Sequence, residues 1–320
     1  MFGVPQGSCA GPVIFTLYIA ALNRVVKKYP AQLHGYADDH KVALQIQAVN
    51  IENETYVLEQ LSACLDDISS WMAKYKLKIN NAKTEIILYG TTQQLAKVDI
   101  PGVNVGGCFV KCVDHVRDLG VCFDANLSFD RHIRKKCQIA YSQLKNLKSI
   151  RKHLSQKSTE ILVHGLVNSH IDFCNGLFAE IPVLSNRSTS ETPNQAARVV
   201  MNVYDQPSAD LRKSLHWLPV KARIMFKVIL IVFRVIHGTA PTYLITLFNC
   251  VRRKYSLRSA ADDTCTQFVV TRRRTRLADR SISVMGPKWW NALPKELKCI
   301  ASEIAFRKRL KAHLFEQFYG

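Results

Sequence analysis

Apolar side chains near the start of the chain recur with a helical period. Ile14, Leu17, Tyr18, Ala21, Leu22 and Val25 fall on one face, which predicts a helix from Val13 to Lys28 ended near Pro30. The next run changes period. "HGYADDHKVALQI", residues 34–46, alternates apolar and polar positions on both sides of two adjacent aspartates, so it predicts a β-hairpin with Asp38 and Asp39 at its tip. Helical spacing returns over residues 51–75 through Tyr56, Leu58, Leu61, Leu65, Ile68 and Trp71. "KTEIILYG" then reads as a short strand ended by Gly90, and two further strands are expected around residues 103–112 and 116–123.

From Asp130 the pattern becomes helical for long stretches. "RHIRKKCQIAYSQLKNLKSIRKHL", "STEILVHGLVNSHIDFCNGLF" and the block 208–249 all predict helices. The polar "PVLSNRSTSETPNQ" predicts a loop or linker. Residues 255–297 predict an irregular or partly stranded basic module, and a final amphipathic helix follows with Phe306, Leu310, Leu314 and Phe318 as its apolar stripe. The expected fold class is α+β: short antiparallel strands with helices in front, a mainly helical rear.

Composition adds charge to this picture. The 320 residues are 48% hydrophobic, enough for a sizeable core and about two domains, and carry a net charge of +19. The charge is uneven: residues 1–100 hold 9 basic and 9 acidic side chains, residues 201–320 hold 22 basic and 8 acidic. A neutral front and polycationic rear point to a polyanionic partner for the rear, nucleic acid ahead of membrane because Arg is interleaved with aromatic residues; a merely solvated basic face is the alternative. The most apolar run, "IMFKVILIVFRVIHG", contains Lys227 and Arg234 and is shorter than the roughly 20 residues a bilayer demands, so no membrane span is expected. No secretory signal is expected in "MFGVPQGSCAGPVIF". Ten cysteines without a CxxC pair read as reduced thiols, most of them core fillers, in an intracellular protein, nuclear or cytoplasmic.

Two carboxylates at one tight turn repel each other unless a divalent cation lies between them, and Mg2+ or Mn2+ takes such oxygen ligands. An Asp-Asp pair at an exposed turn is also common without any metal. Its neighbours decide between these. "GVPQGSCAGPVIFTLYI", "YADD", "LKINNAKTEIILYG" and "VRDLGVCFDANLSFDRHI", in this order, resemble the consecutive palm motifs of reverse transcriptases, in particular those of non-LTR (LINE-type) retrotransposons. "SLHWLPVKARIMFKVILIVFRVIHGTAPTYL", "YSLRSA" and "GPKWWNALPKELK" with "FRKRLKAHLF" are similar to the region after the thumb in the Jockey-like and chicken-repeat-like groups.

The resemblance implies a partial palm over residues 1–127, a helical thumb over 128–185 and a basic C-terminal helical region over 186–320. It implies RNA-directed DNA synthesis with Mg2+ or Mn2+, deoxynucleoside triphosphates, an RNA template and a DNA primer or target. Asp38 matches the direct metal ligand and Asp39 a more peripheral one, with Tyr36 and Ala37 beside the primer end. Pro5, Gln6 and Gly7 match the loop lining nucleotide and template, Lys83 the lysine near the triphosphate, and Leu119 with Gly120 the primer grip. A further catalytic aspartate and the fingers precede the "PQG" motif in the family; only Phe2 to Val4 separate Met1 from Pro5. The chain is therefore expected to be a poor polymerase by itself, with weak metal binding, and a non-catalytic nucleic-acid-binding remnant is the alternative.

In the rear, Arg272, Arg273, Arg274, Arg276 and Arg280 crowd a short stretch followed by Trp289 and Trp290. Arginines neutralise phosphates and aromatic faces stack on unpaired bases. The tryptophans serve equally as core anchors, and at least one is expected in the core.

Overall fold

The computed structural model describes residues 7–46, 51–181, 183–250, 266–273 and 275–320. The chain divides into two compact units, Met1–Leu127 and Ser128–Gly320.

In the first unit the expected opening helix is two: α1, Gly11–Ile19, and α2, Leu22–Val26. Bonds from Asn23 N–H to Ala20 O and Arg24 N–H to Ala21 O are three-residue bonds, a tightening that turns the axis between them. Only Ile19, Leu22 and Val26 of this segment are buried, while Val13, Ile14, Leu17 and Tyr18 are exposed. The hairpin expected next is present: β1, Ala31–Tyr36, pairs antiparallel with β2, Asp39–Leu44. Its inner face, Leu33 and Val42, packs with Leu22, Val26, Cys64 and Ile68, so α2 and the long helix α3, Ile51–Lys74, form its floor. Val57 rather than Tyr56 is buried at the start of α3.

After α3 the sequence reading needs correction. "KTEIILYG" makes no ladder: Asn81–Lys83 is a 3-10 turn, and Ile86 forms a single parallel bridge with Cys112. Residues 91–95 form a one-turn helix α4, Thr92–Leu95, capped by Thr91 and Gln94. The two expected strands are each a hairpin. β3, Gly102–Val105, pairs with β4, Cys108–Lys111, and β5, His115–Asp118, with β6, Val121–Asp124. Gly106–Gly107 and Leu119–Gly120 turn them, all at positive φ, the geometry that two-residue hairpins require. The three hairpins are separate two-stranded sheets among the described residues.

The second unit is helical: α5 Asp130–Ile150, α6 Gln156–Val163, α7 Ser169–Asp172, α8 Val183–Met201, α9 Ser208–Ser214, α10 Val220–Ile236 and α11 Thr242–Ile245. α12 Arg276–Asp279, α13 Ile282–Asn291, α14 Lys295–Lys298 and α15 Glu303–Tyr319 complete it. α10 is apolar nearly all round and is correspondingly central. Its Ala222, Ile224, Val228, Ile229, Val232 and Phe233 are buried, and the Phe233 ring stacks on Phe306 of α15 at 4.3 Å between centroids. Phe306, Leu310 and Leu314 are fully buried, as their spacing predicts.

Three further expectations are overturned. The polar linker is helix α8, with Pro193 inside it. Buried Ala196, Ala197, Val199 and Val200 near its end supply the packing that outweighs the weak helix propensity of Ser, Thr and Asn. The module after residue 265 is helical in α12 to α14, and its strand content among the described residues is one bridge, Cys250 to Phe268. At Gly286 of α13 a Cβ would lie 2.9 Å from Val232 and 2.8 Å from Phe248, so the glycine admits close helix packing. Finally, Cys64 is the one buried thiol among the described cysteines, and Cys9, Cys108, Cys174, Cys250 and Cys299 are exposed. No helix of the described residues is long and apolar enough to cross a membrane.

Candidate metal and primer site

The β1–β2 hairpin holds its tip by register. Tyr36 faces Asp39 and Gly35 faces His40, which leaves Ala37 and Asp38 as the two-residue turn. Ala37 sits at φ 55°, a conformation costing a non-glycine residue about 1 kcal/mol. The His40 ring nitrogen Nδ1 lies 3.1 Å from the Asp38 carbonyl oxygen and closes the turn from below. Asp38 and Asp39 are exposed, and neither carboxylate has a hydrogen bond or ion pair among the described residues. Tyr36 is 67% exposed beside them.

The second tip is Leu119–Gly120. Leu119 is at φ 44° and 45% exposed, an apolar side chain held outward on a strained backbone. One ion pair links the two hairpins: Lys41 Nζ, on β2, lies 2.5 Å from Asp118 Oδ2, the residue before Leu119. Such a partly exposed pair is worth about 1 kcal/mol or less, so it positions the hairpins more than it stabilises them. Tyr89 lies near this carboxylate; burial first, then Asp118 and Asp124, push its phenol up to about 12. It therefore remains a neutral hydroxyl at neutral pH.

Lys41, Asp118 and Tyr89 were not singled out by sequence reasoning. A signal was present for one: Lys41 follows Asp39 by two positions, and strand period 2 puts both on one side of β2. Of the other expected residues, Gly7 is described, exposed and at φ +87°, while Pro5 and Gln6 lie outside the described residues. Lys83 is exposed in its 3-10 turn, and no bond among the described residues links it to the aspartates. In the second unit Arg272, Arg273 and Arg276 are exposed and Arg280 is half-buried; Arg274 lies outside the described residues. Trp289 and Trp290 are both buried, and the Trp290 indole N–H donates to Thr266 O at 3.0 Å. They are core anchors, which removes base stacking as their role.

No group of three or more His, Cys, Asp or Glu side chains that could hold a metal occurs among the described residues. The Asp38–Asp39 pair nevertheless fits part of a hard-cation shell, since it offers uncommitted oxygen donors that water and substrate phosphates complete.

The family described as reverse transcriptase (RNA-dependent DNA polymerase) matches residues 1–147, a stretch containing both tips and the Lys41–Asp118 tie. Residues 1–147 are a reverse-transcriptase domain. The RNA-directed DNA polymerase from mobile element jockey of Drosophila funebris is 29% identical over 136 residues, 41% of this chain and 14% of that protein. The probable RNA-directed DNA polymerase from transposon BS of Drosophila melanogaster is 28% identical over 165 residues, 50% of this chain and 17% of that protein. The jockey polymerase of Drosophila melanogaster is 24% identical over 136 residues, again 41% and 14%. The matched stretches thus span 14% to 17% of these relatives, and they agree with the non-LTR resemblance carried by the motifs. No solved structure gives a significant match. Reverse transcriptases as a family work with divalent metal ions, nucleic-acid strands and nucleoside triphosphates.

Proposed function

We propose that the first unit supplies the metal-holding turn and the primer contact of an RNA-directed DNA polymerase, and that the rear unit holds nucleic acid. Two exposed hairpin tips support this reading, one bearing unpartnered carboxylates and the other an outward Leu119, on hairpins linked by the Lys41–Asp118 ion pair. Asp38 would take the cation directly and Asp39 would lie beside it. Mg2+ held there would supply positive charge to the attacking 3′-hydroxyl and to the leaving pyrophosphate. The chain's own part is placement: Leu119–Gly120 presents backbone and an apolar side chain to the primer, Tyr36 and Ala37 flank its end, and Gly7 lies towards the nucleotide. Lys83 would neutralise triphosphate charge.

Binding tests this without requiring turnover. On an RNA–DNA hybrid with a recessed primer, Mg2+ and the matching deoxynucleoside triphosphate should slow dissociation of the full chain, followed by fluorescence anisotropy. Asp38→Asn should remove that slowing and leave metal-free binding intact. Equal Mg2+ dependence in both proteins would instead mean that the hybrid is held by the basic rear alone. The exposed Arg272, Arg273 and Arg276 favour that second reading, in which phosphate contacts give sequence-independent affinity.

A further inference from the structure

The second unit contains a cleft of about 300 Å³, formed by residues to which none of the roles above belongs. One side comes from the segment between α6 and α7, where His164–Asn168 is wound as a π-helical turn. The other comes from α9, the "LHWL" segment after it and the start of α10, with Lys311 reaching in from α15.

Several costly features meet around this cleft. π turns interrupt α-helices rarely, and mostly at functional sites. His216, in the wall, is held at φ 53°. Asn168 is 4% exposed, its Oδ1 buried without a hydrogen-bond partner, and Arg223 keeps its Nε buried in the same condition. Each unsatisfied buried polar atom costs on the order of 1–3 kcal/mol, and such atoms ask for an explanation when they cluster.

The balance of donors and acceptors says what is missing. Both carboxylates in the cleft are engaged: Glu160 accepts from the Trp217 indole N–H at 2.9 Å, and Asp172 accepts from Arg223 Nη1 at 2.9 Å and Asn175 Nδ2 at 3.1 Å. Of the three cations lining the cleft, Arg223 is paired with Asp172, and Arg212 and Lys311 have no carboxylate partner among the described residues. Arg212 donates its Nε to the Tyr319 hydroxyl at 3.2 Å, and its terminal nitrogens have no partner among the described residues. Lys311 is exposed and likewise has no ion pair among them. Donors therefore outnumber acceptors, on fork-shaped guanidinium groups suited to phosphate oxygens.

We infer that this cleft binds a phosphate group, carried by a free nucleotide or by the backbone of a nucleic-acid strand. Arg212, Arg223 and Lys311 surround the phosphate oxygens, and Asn168 Oδ1 accepts from a hydroxyl of the ligand. Trp217 is buried at 8% exposure with its N–H already engaged, so the cleft reads phosphate and sugar rather than stacking a base.

Isothermal titration of the full chain with inorganic phosphate, with dAMP and with a short single-stranded oligonucleotide tests the inference. At least one should bind saturably, and Lys311→Gln should weaken it about tenfold, the loss of one charge-assisted contact, without moving the melting temperature. Arg212→Lys, which keeps charge and loses the fork, should weaken it as well. Binding of phosphate or dAMP identifies a free ligand, and binding of the oligonucleotide alone identifies strand backbone. Three results overturn the inference: none of the probes binds, both variants bind like the parent, or Arg272→Gln with Arg273→Gln abolishes binding while the cleft variants do not. The outcome is separate from that of the Asp38→Asn experiment, because the cleft shares no residue with the hairpin tips.

Discussion

Trp290→Ala is expected to lower the stability of the second unit by about 3–5 kcal/mol, the range for removing a fully buried large aromatic. Trp290 is 1% exposed and its ring centroid lies 5.8 Å from that of Phe306, which in turn stacks on Phe233. The truncation therefore opens a cavity where α10, α13 and α15 meet, and it strands the Thr266 carbonyl that the indole N–H reaches. Domains hold about 5–15 kcal/mol in all, so much of the margin goes. Trp290→Phe keeps most of the ring contacts and forfeits the hydrogen bond, and should cost less. Urea denaturation followed by far-UV circular dichroism measures both. A loss for Trp290→Ala below about 1 kcal/mol, the level of an ordinary surface change, would mean that this corner is not the anchor described.

Acid should destabilise the same unit through His132. The side chain is 3% exposed on α5, 5.7 Å between centroids from Phe178. Burial, aided by Lys136, lowers its pKa from the ordinary 6.5 to about 4. Between these values the unfolded chain takes up a proton that the folded chain refuses. Stability is thus fully present above pH 6.5 and falls as pH drops through the window, by about 3 kcal/mol at 1.36 kcal/mol per pKa unit. Other groups also titrate there, so the informative quantity is a difference: His132→Leu should show a smaller loss than the parent when urea midpoints at pH 7.5 and pH 4.5 are compared. Equal losses in the two proteins would show that His132 is protonated without penalty.

The legible parts of this chain were those with short-range causes. Alternation on either side of Asp38–Asp39 predicts the β1–β2 hairpin because strand period and turn chemistry are local, and the same holds for the stripe Phe306, Leu310, Leu314 on α15. What escaped is held by distant contacts. The α8 segment looks like a linker by composition, yet buried alanines and valines near its end make it a helix. Residues 103–112 read as one strand, although Gly106–Gly107 carries the local signal of a two-residue turn. Lys41 and Asp118 were invisible as a pair, since nothing in either strand announces the other. The aspartates stood out by local pattern and by resemblance; the Lys41–Asp118 tie between their hairpin and that of Leu119 required the structure.

The claim on which the account rests is that the turn bearing Asp38 and Asp39 holds a divalent cation beside a primer end. Mn2+ titration of the full chain, with an RNA–DNA hybrid and a non-hydrolysable deoxynucleoside triphosphate present, reads that directly by electron paramagnetic resonance. Asp38→Asn should weaken Mn2+ binding about tenfold or more, as loss of a charged ligand implies, and Asp39→Asn should weaken it less. Both changes fall on exposed side chains without partners among the described residues, so melting temperatures should not move. Superimposable Mn2+ curves for the parent and Asp38→Asn would contradict the account.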